Sequence, residues 1–167
     1  MHNRHISQFD SRVVSTSAVF EELAAPHGRR ALKLYDLWRQ VKPQHDIPCR
    51  TDLSFEVLGA AGLLGHLFII EPIDGGLDWR YRLLGTDITW FFERDVTNIP
   101  FTRHFTPEEA RVCIDLSNRV AESRTPVFLR GRIHSGHYSG LFETMSLPIW
   151  SRDRSTVWLI GGSFVDH

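Results

Sequence analysis

The apolar positions along the chain change period several times, and each change marks an element. In RRALKLYDLWRQVK, Ala31, Leu34, Tyr35, Trp38 and Val41 recur at steps of three and four, one face of an amphipathic helix predicted over residues 29–42. Pro43, Asp46 and Pro48 end it in a turn-prone link, after which Ser54 stands where a short helix in TDLSFEVLGAAGLL needs a cap. Gly59 and Gly62 limit that helix. HLFIIEPI is apolar on both phases and runs into the turn DGG, and LDWRYRLLGT alternates Trp79, Tyr81 and Leu83 against Arg80 and Arg82, so the two predict an antiparallel hairpin. DITWFFERDVTN has no such alternation and reads as short helical turns. FTPEEARVCIDLSNRVAES is the clearest helix: Thr106 can cap it, Pro107 suits its first position and Glu109 completes a capping box. Its predicted inner face carries Ala110, Cys113, Ser117, Val120 and Ala121. Three strand-like runs, TPVFLRGRIHS, GLFETMSLPIW and TVWLIGGSFVDH, follow it.

Helix, two strands, helices and three strands make an α+β domain with an antiparallel sheet, not a strictly alternating parallel one. Of these five strands the second carries Arg80 and Arg82 and the third Arg130 and Arg132, a charge pattern that guards sheet edges, while the first and last are apolar on both phases. The expected spatial order is therefore 2-1-5-4-3. Residues 1–27 are polar, mixed and without period, and predict a flexible N-terminal arm ahead of one domain over residues 28–167 that includes the flanking helix.

That order, with ALKLYDLWRQVKP, RTDLSFEVL, LLGHLFIIEPID, WRYRLLGT, RDVTN and LPIW in succession, resembles a bacterial PAS-like family over residues 30–165. The chain departs from the family pattern at Glu93, and at Asn98, where glycine is usual and where Asn tolerates the left-handed backbone the turn needs. The resemblance implies a five-stranded antiparallel sheet with helices on one face, an N-terminal flanking helix, and a stand-alone sensory or regulatory module that binds a small molecule or a protein partner in signal transduction.

Charge and composition narrow the partners. In 167 residues, 19 Lys and Arg nearly balance 20 Asp and Glu, so there is no basic field for nucleic acid or an acidic membrane. The longest apolar runs are too short to span a bilayer and MHNRHISQFD lacks a signal-peptide core, which predicts a cytoplasmic protein. Cys49 and Cys113 form no disulfide framework.

Candidate chemistry gathers around the aromatic run after the second strand. In PAS-like proteins the short helices, the long helix and the inner sheet face enclose a cavity, and by that resemblance Tyr81, Trp90, Phe91, Phe101, His104, Cys113, Phe128, Glu143 and Met145 are the pocket candidates, for a small apolar or aromatic ligand. The alternative is that these side chains simply fill the core. No cofactor is assigned: haem would have His104 as its axial ligand and flavin chemistry would want a cysteine that WFFERDV lacks, but neither is excluded. No metal site is assigned. Glu143 shares strand phase with Leu141, Met145 and Leu147, which places a carboxylate on an apolar face in need of a partner such as Arg94, or outside if a bulge turns it. A small cone-shaped enzyme, an isomerase or dehydratase using Glu143 or His104 as base, is the competing class, although two convergent titratable groups are few for it. Both sheet faces read as apolar while the predicted helices after the hairpin cover one. A homodimer built on Leu34, Tyr35 and Trp38 of the first helix and the outer sheet face is therefore expected, the alternative being that this helix folds back on its own sheet and leaves the chain monomeric.

Overall fold

The computed structural model describes residues 9–11, 14–92, 94–135 and 138–165, and of residues 9–11, 14–19, 90–92, 133–135, 138 and 139 the backbone alone. Strands β1 (Phe9–Ser11), β2 (Val14–Leu23), β3 (Leu67–Ile73), β4 (Asp78–Leu84), β5 (Val127–Ser135), β6 (Tyr138–Trp150) and β7 (Val157–Val165) form one antiparallel sheet in the order β1-β2-β5-β6-β7-β3-β4. The five strands from β3 onward stand in the spatial order that their charge pattern predicts. The helices are α1 (Arg29–Val41), α2 (Phe55–Ala60), α3 (Thr86–Phe92), α4 (Phe101–His104) and α5 (Pro107–Ser123).

Local sequence accounts for these ends. Thr106 Oγ1 accepts from the Glu109 N–H at 3.3 Å while a Glu109 carboxylate oxygen accepts from the Thr106 N–H at 3.0 Å, the reciprocal cap that starts α5. Ser54 Oγ accepts from the Val57 N–H at 3.2 Å and starts α2. Asn98 has φ 65°, and its N–H donates to the Tyr81 carbonyl at 2.8 Å.

Two expectations are corrected at the N-terminal side. The arm of residues 1–27 is in part sheet: β2 pairs with β5 from Ser17↔His134 to Leu23↔Phe128, and β1 pairs with β2. Period-two alternation is hidden in VSTSAVFEEL because small polar residues dominate its first half. As a result β5 is an inner strand, and Arg130 guards no edge but faces Glu21 of β2 at 3.5 Å.

Helices α3, α4 and α5 share one face of the sheet, while the flanking helix α1, together with α2, packs on the other. On one face Ala31, Leu34 and Trp38 of α1 join Leu67, Phe128, Met145, Leu147, Ile160 and Phe164 in a core cluster. On the other, Ile88, Phe101 and Val120 of α3, α4 and α5 join Phe20, Phe68, Ile70, Trp79, Leu129 and Leu159. Gly162 is what lets α1 lie so close: a Cβ there would stand 3.2 Å from a Leu34 methyl and clash with the Phe164 ring at 2.4 Å. Burying a leucine such as Leu34 contributes about 1.5–3 kcal/mol. The dimer-interface candidates are thus taken up within the chain: Leu34 and Trp38 are 0% and 3% exposed, the Trp38 indole N–H donates to the Pro148 carbonyl at 2.9 Å, and the half-buried Tyr35 ring meets Phe128 edge-on at 4.9 Å.

Candidate functional site

Between the sheet and the α4–α5 pair sits an aromatic wall. Tyr81 projects from β4 toward Phe101 and His104 of α4, with ring centroids 5.2 and 6.1 Å away, and Phe68 of β3 meets Tyr81 edge-on at 5.9 Å. Phe105 closes the group, 5.4 Å from Phe101 and 4.1 Å from His104. Polar contacts fix the scaffold around this wall. The Trp79 indole donates to Asn118 Oδ1 at 3.0 Å and the Asn118 amide donates to the Gly76 carbonyl at 2.9 Å, which ties α5 to the β3–β4 turn. The Thr102 hydroxyl donates to Asp78 at 2.6 Å and ties α4 to the start of β4.

Small polar residues interrupt the apolar side chains on this face of the sheet. Paired residues share a face, so Phe142, Thr144 and Ser146 of β6 and Ser163 of β7 point with Leu129 and Phe68 toward α5. Thr144 and Ser163 approach within 3.3 Å through their hydroxyls, and although both stand on inner strands they are only half-buried. On α5, Cys113 is half-buried, between buried Ala110 and Ser117, and packs against the core cluster of this same sheet face.

The titratable groups here are held neutral. Burial pushes the His104 imidazole down to about 4, helped by the Arg94 charge. The Cys113 thiol is pushed up to about 12 by burial and then by the Glu109 charge. Burial raises the Tyr81 phenol well above its ordinary range, with a smaller contribution from Cys113. At neutral pH the site offers hydroxyls, an uncharged imidazole and a thiol set among rings, with no imidazolium, phenolate or thiolate.

Of the pocket candidates, Tyr81, Phe101, His104 and Cys113 come together on this face. Those of Trp90 and Phe91 lie outside the described side chains, their backbone belonging to α3. Phe128, Met145 and Glu143 are on the opposite face. Phe128 pairs with Met145 and both belong to the α1 cluster, so the space bounded jointly by Tyr81, Phe128 and Met145 does not form. Both phases of β5 and β6 carry apolar residues, Phe128 and Met145 on one and Leu129 and Phe142 on the other, because both sheet faces are covered, and hydrophobicity alone does not say which phase meets α5. The lining residues missed by sequence reasoning, Thr144, Ser146 and Ser163, carried a signal in their small polar alternation inside otherwise apolar strands.

Glu143 is buried, 6% exposed, and its partner is not Arg94. Its two carboxylate oxygens accept from the N–H groups of His27 at 3.1 Å and Gly28 at 2.8 Å, so a residue of β6 caps α1, whose own N-cap Gly28 has no side chain to do so. Arg130 is its cross-strand neighbour.

A family profile for the PAS domain matches residues 27–163. The chain belongs to the PAS domain family. PAS domains are in general sensory and regulatory modules, and they often mediate association with partners. No curated protein and no solved structure matches the chain. In this PAS domain no helix among the described residues is long and apolar enough to cross a membrane, and no three His, Cys, Asp or Glu side chains among them are grouped to hold a metal ion.

Proposed function

We propose that this PAS domain is a cytoplasmic sensor that takes a small, mainly apolar or aromatic molecule between Tyr81, Phe101, His104 and Cys113 on one side and Thr144 and Ser163 on the other. It passes its state to a protein partner and works as a homodimer. The observation that carries the reading is that the half-buried Thr144–Ser163 hydroxyl pair shares a sheet face with the aromatic cluster of Phe68, Tyr81 and Phe101. Pockets of this make-up bind through apolar area and fix orientation with a few polar groups. A neutral His104 and Cys113 supply donors and acceptors and no charged nucleophile, which favours binding over turnover. Glu143, the carboxylate on which an isomerase or dehydratase would depend, serves the opposite face. The test is native mass spectrometry of the purified chain followed by thermal-shift measurements with aromatic and aliphatic ligands. A retained or stabilising compound is expected, and its loss in Cys113→Phe and Thr144→Leu variants that keep the wild-type melting temperature. Stabilisation that survives both substitutions would place the ligand elsewhere.

A further inference from the structure

Where β6 turns into β7, one end of the sheet gathers arginines that have no acidic partner. The segment ahead of α2 runs beside the end of β6: the Trp150 N–H donates to the Pro48 carbonyl at 2.8 Å, and the Cys49 thiol donates to the Ser151 carbonyl at 3.4 Å. This sets Arg50 beside the turn that carries Arg152 and Arg154. Arg124, at the end of α5, lies over the Trp150 ring at 4.6 Å. Among the described residues, Arg50, Arg124, Arg152 and Arg154 form no ion pair. Asp46, Asp52 and Asp153, which lie nearby, serve their own loops. Asp46 accepts from the Ile47 N–H at 2.7 Å and the Trp150 indole at 2.9 Å, Asp52 from the Cys49 N–H at 2.8 Å, and Asp153 from the Ser151 and Ser155 hydroxyls at 2.8 and 2.7 Å.

The arginines are held in other ways. Arg50 stacks over the Phe55 ring at 4.7 Å and gives one bond, from Nη1 to the Leu53 carbonyl at 2.9 Å. Stacking occupies the face of a guanidinium and leaves its in-plane N–H groups for an anion. Arg50 is half-buried, and burial followed by the Arg152 charge keeps it below its ordinary value, so like charges are held together where an anion would relieve them. Phe55 is 49% exposed, an open ring beside these donors.

We propose that this end of the molecule binds a nucleoside di- or triphosphate, with Arg50, Arg152 and Arg154 on the phosphates and Phe55 against the base. Guanidinium forks match phosphate oxygens in pairs. Cations drawn from one turn and the segment beside it fit a compact polyanion better than an acidic peptide, whose charges are spread along a chain. A base has a π-face to lay on an exposed ring. The aromatic wall ends at Phe105, just before α5, and Arg124 follows the last turn of that helix, so its length of roughly 25 Å separates the two sites. The inference is therefore independent of the ligand that Tyr81 and Cys113 would take.

Isothermal titration calorimetry of the full chain with ADP and with inorganic pyrophosphate, at fixed ionic strength, tests it. ADP is expected to bind, and pyrophosphate more weakly. Substituting the two exposed arginines of the turn together, Arg152→Gln with Arg154→Gln, should weaken both ligands by about tenfold or more, the loss that goes with charge-assisted contacts. Phe55→Leu should weaken ADP and leave pyrophosphate unchanged. Arg50→Gln should weaken both, and if circular dichroism shows that it does not fold, the turn variant carries the test. No binding of either ligand at millimolar concentration overturns the proposal, as does binding that the arginine substitutions leave intact. Equal affinity for ADP and pyrophosphate overturns the contact with the base and assigns the arginines to a free oligophosphate. A hexaglutamate peptide bound as tightly as ADP overturns the phosphate assignment.

Discussion

The Glu143 carboxylate lies 2.8 Å from the backbone nitrogen of Gly28, at the start of a helix 115 residues away in sequence. Removing it leaves two backbone N–H groups without their acceptor and the helix dipole without its counter-charge. Glu143→Ala is expected to lower stability by about 1.5–3 kcal/mol, the range for hydrogen bonds to a charged group, measured by urea unfolding. A Glu143→Gln variant keeps one acceptor oxygen and should fall between. If Glu143→Ala left the unfolding midpoint unchanged, the cap would carry no stability.

Trp38 is expected to matter inside one chain. With the ring buried over the sheet and its N–H on the Pro148 carbonyl, Trp38→Ala should cost about 3–5 kcal/mol, and Trp38→Glu more, because a charge would be left among Leu34, Leu147 and Ile149. Dilution series separate this from an interface effect: the loss should be the same at every protein concentration.

His104 makes a pH prediction. Its folded pKa, about 4, lies below the ordinary 6.5, so the unfolded chain takes up the proton first. The stability that goes with the neutral ring is present above pH 6.5 and is lost as pH falls from there toward 4. Asp46, Asp95 and Asp153 have lowered pKa values and contribute their own loss further down, through Asp153 at about 2. The unfolding midpoint of the wild type should decline across the upper window, and that of His104→Phe should decline less. Equal slopes would contradict the assignment.

A thiol pushed up to about 12 is almost wholly protonated at neutral pH, and the thiolate is the reactive form. In a Cys49→Ser background, Cys113 should label very slowly with iodoacetamide in the native state and rapidly in denaturant. Fast native labelling would mean a thiolate-stabilising neighbour.

Much of this could be read from the chain. Thr106, Pro107 and Glu109 announce α5, the apolar spacing from Ala31 to Val41 announces α1, and the two-sided apolar runs of β3 and β7 mark them as inner strands, although the arginines of β5 mark no edge. The facing of β5 and β6 could not, because Phe128 and Leu129 are equally apolar and belong to opposite clusters. A sheet covered on both sides loses the alternation that would orient it. The apolar stripe of α1 states that it needs a partner surface and leaves open whether that is its own sheet or a second copy; the close approach of Leu34 to Gly162 and the Trp38 bond to Pro148 show that the surface is the chain's own. For Glu143 the pattern indicated a buried carboxylate, yet its donors come from backbone N–H groups, which every residue but proline possesses and no sequence pattern singles out.

The hairpin of β3 and β4 holds one residue too many on one side. Ile69 stands opposite Leu83 and Ile70 opposite Tyr81, so Arg82 has no counterpart, and the strand beyond it is turned over. Tyr81 and Trp79 thereby face α5, whereas Leu83 joins the α1 cluster. Side-chain facing has a period of two, so the unpaired Arg82 is what lets Tyr81 and Leu83, two apart in sequence, face opposite ways. Deleting Arg82 alone would turn the bulged stretch into a regular strand with Tyr81, Leu83 and Leu84 still on their present faces, whereas deleting a second residue beside it would exchange the two sides at the point where the chain enters α3.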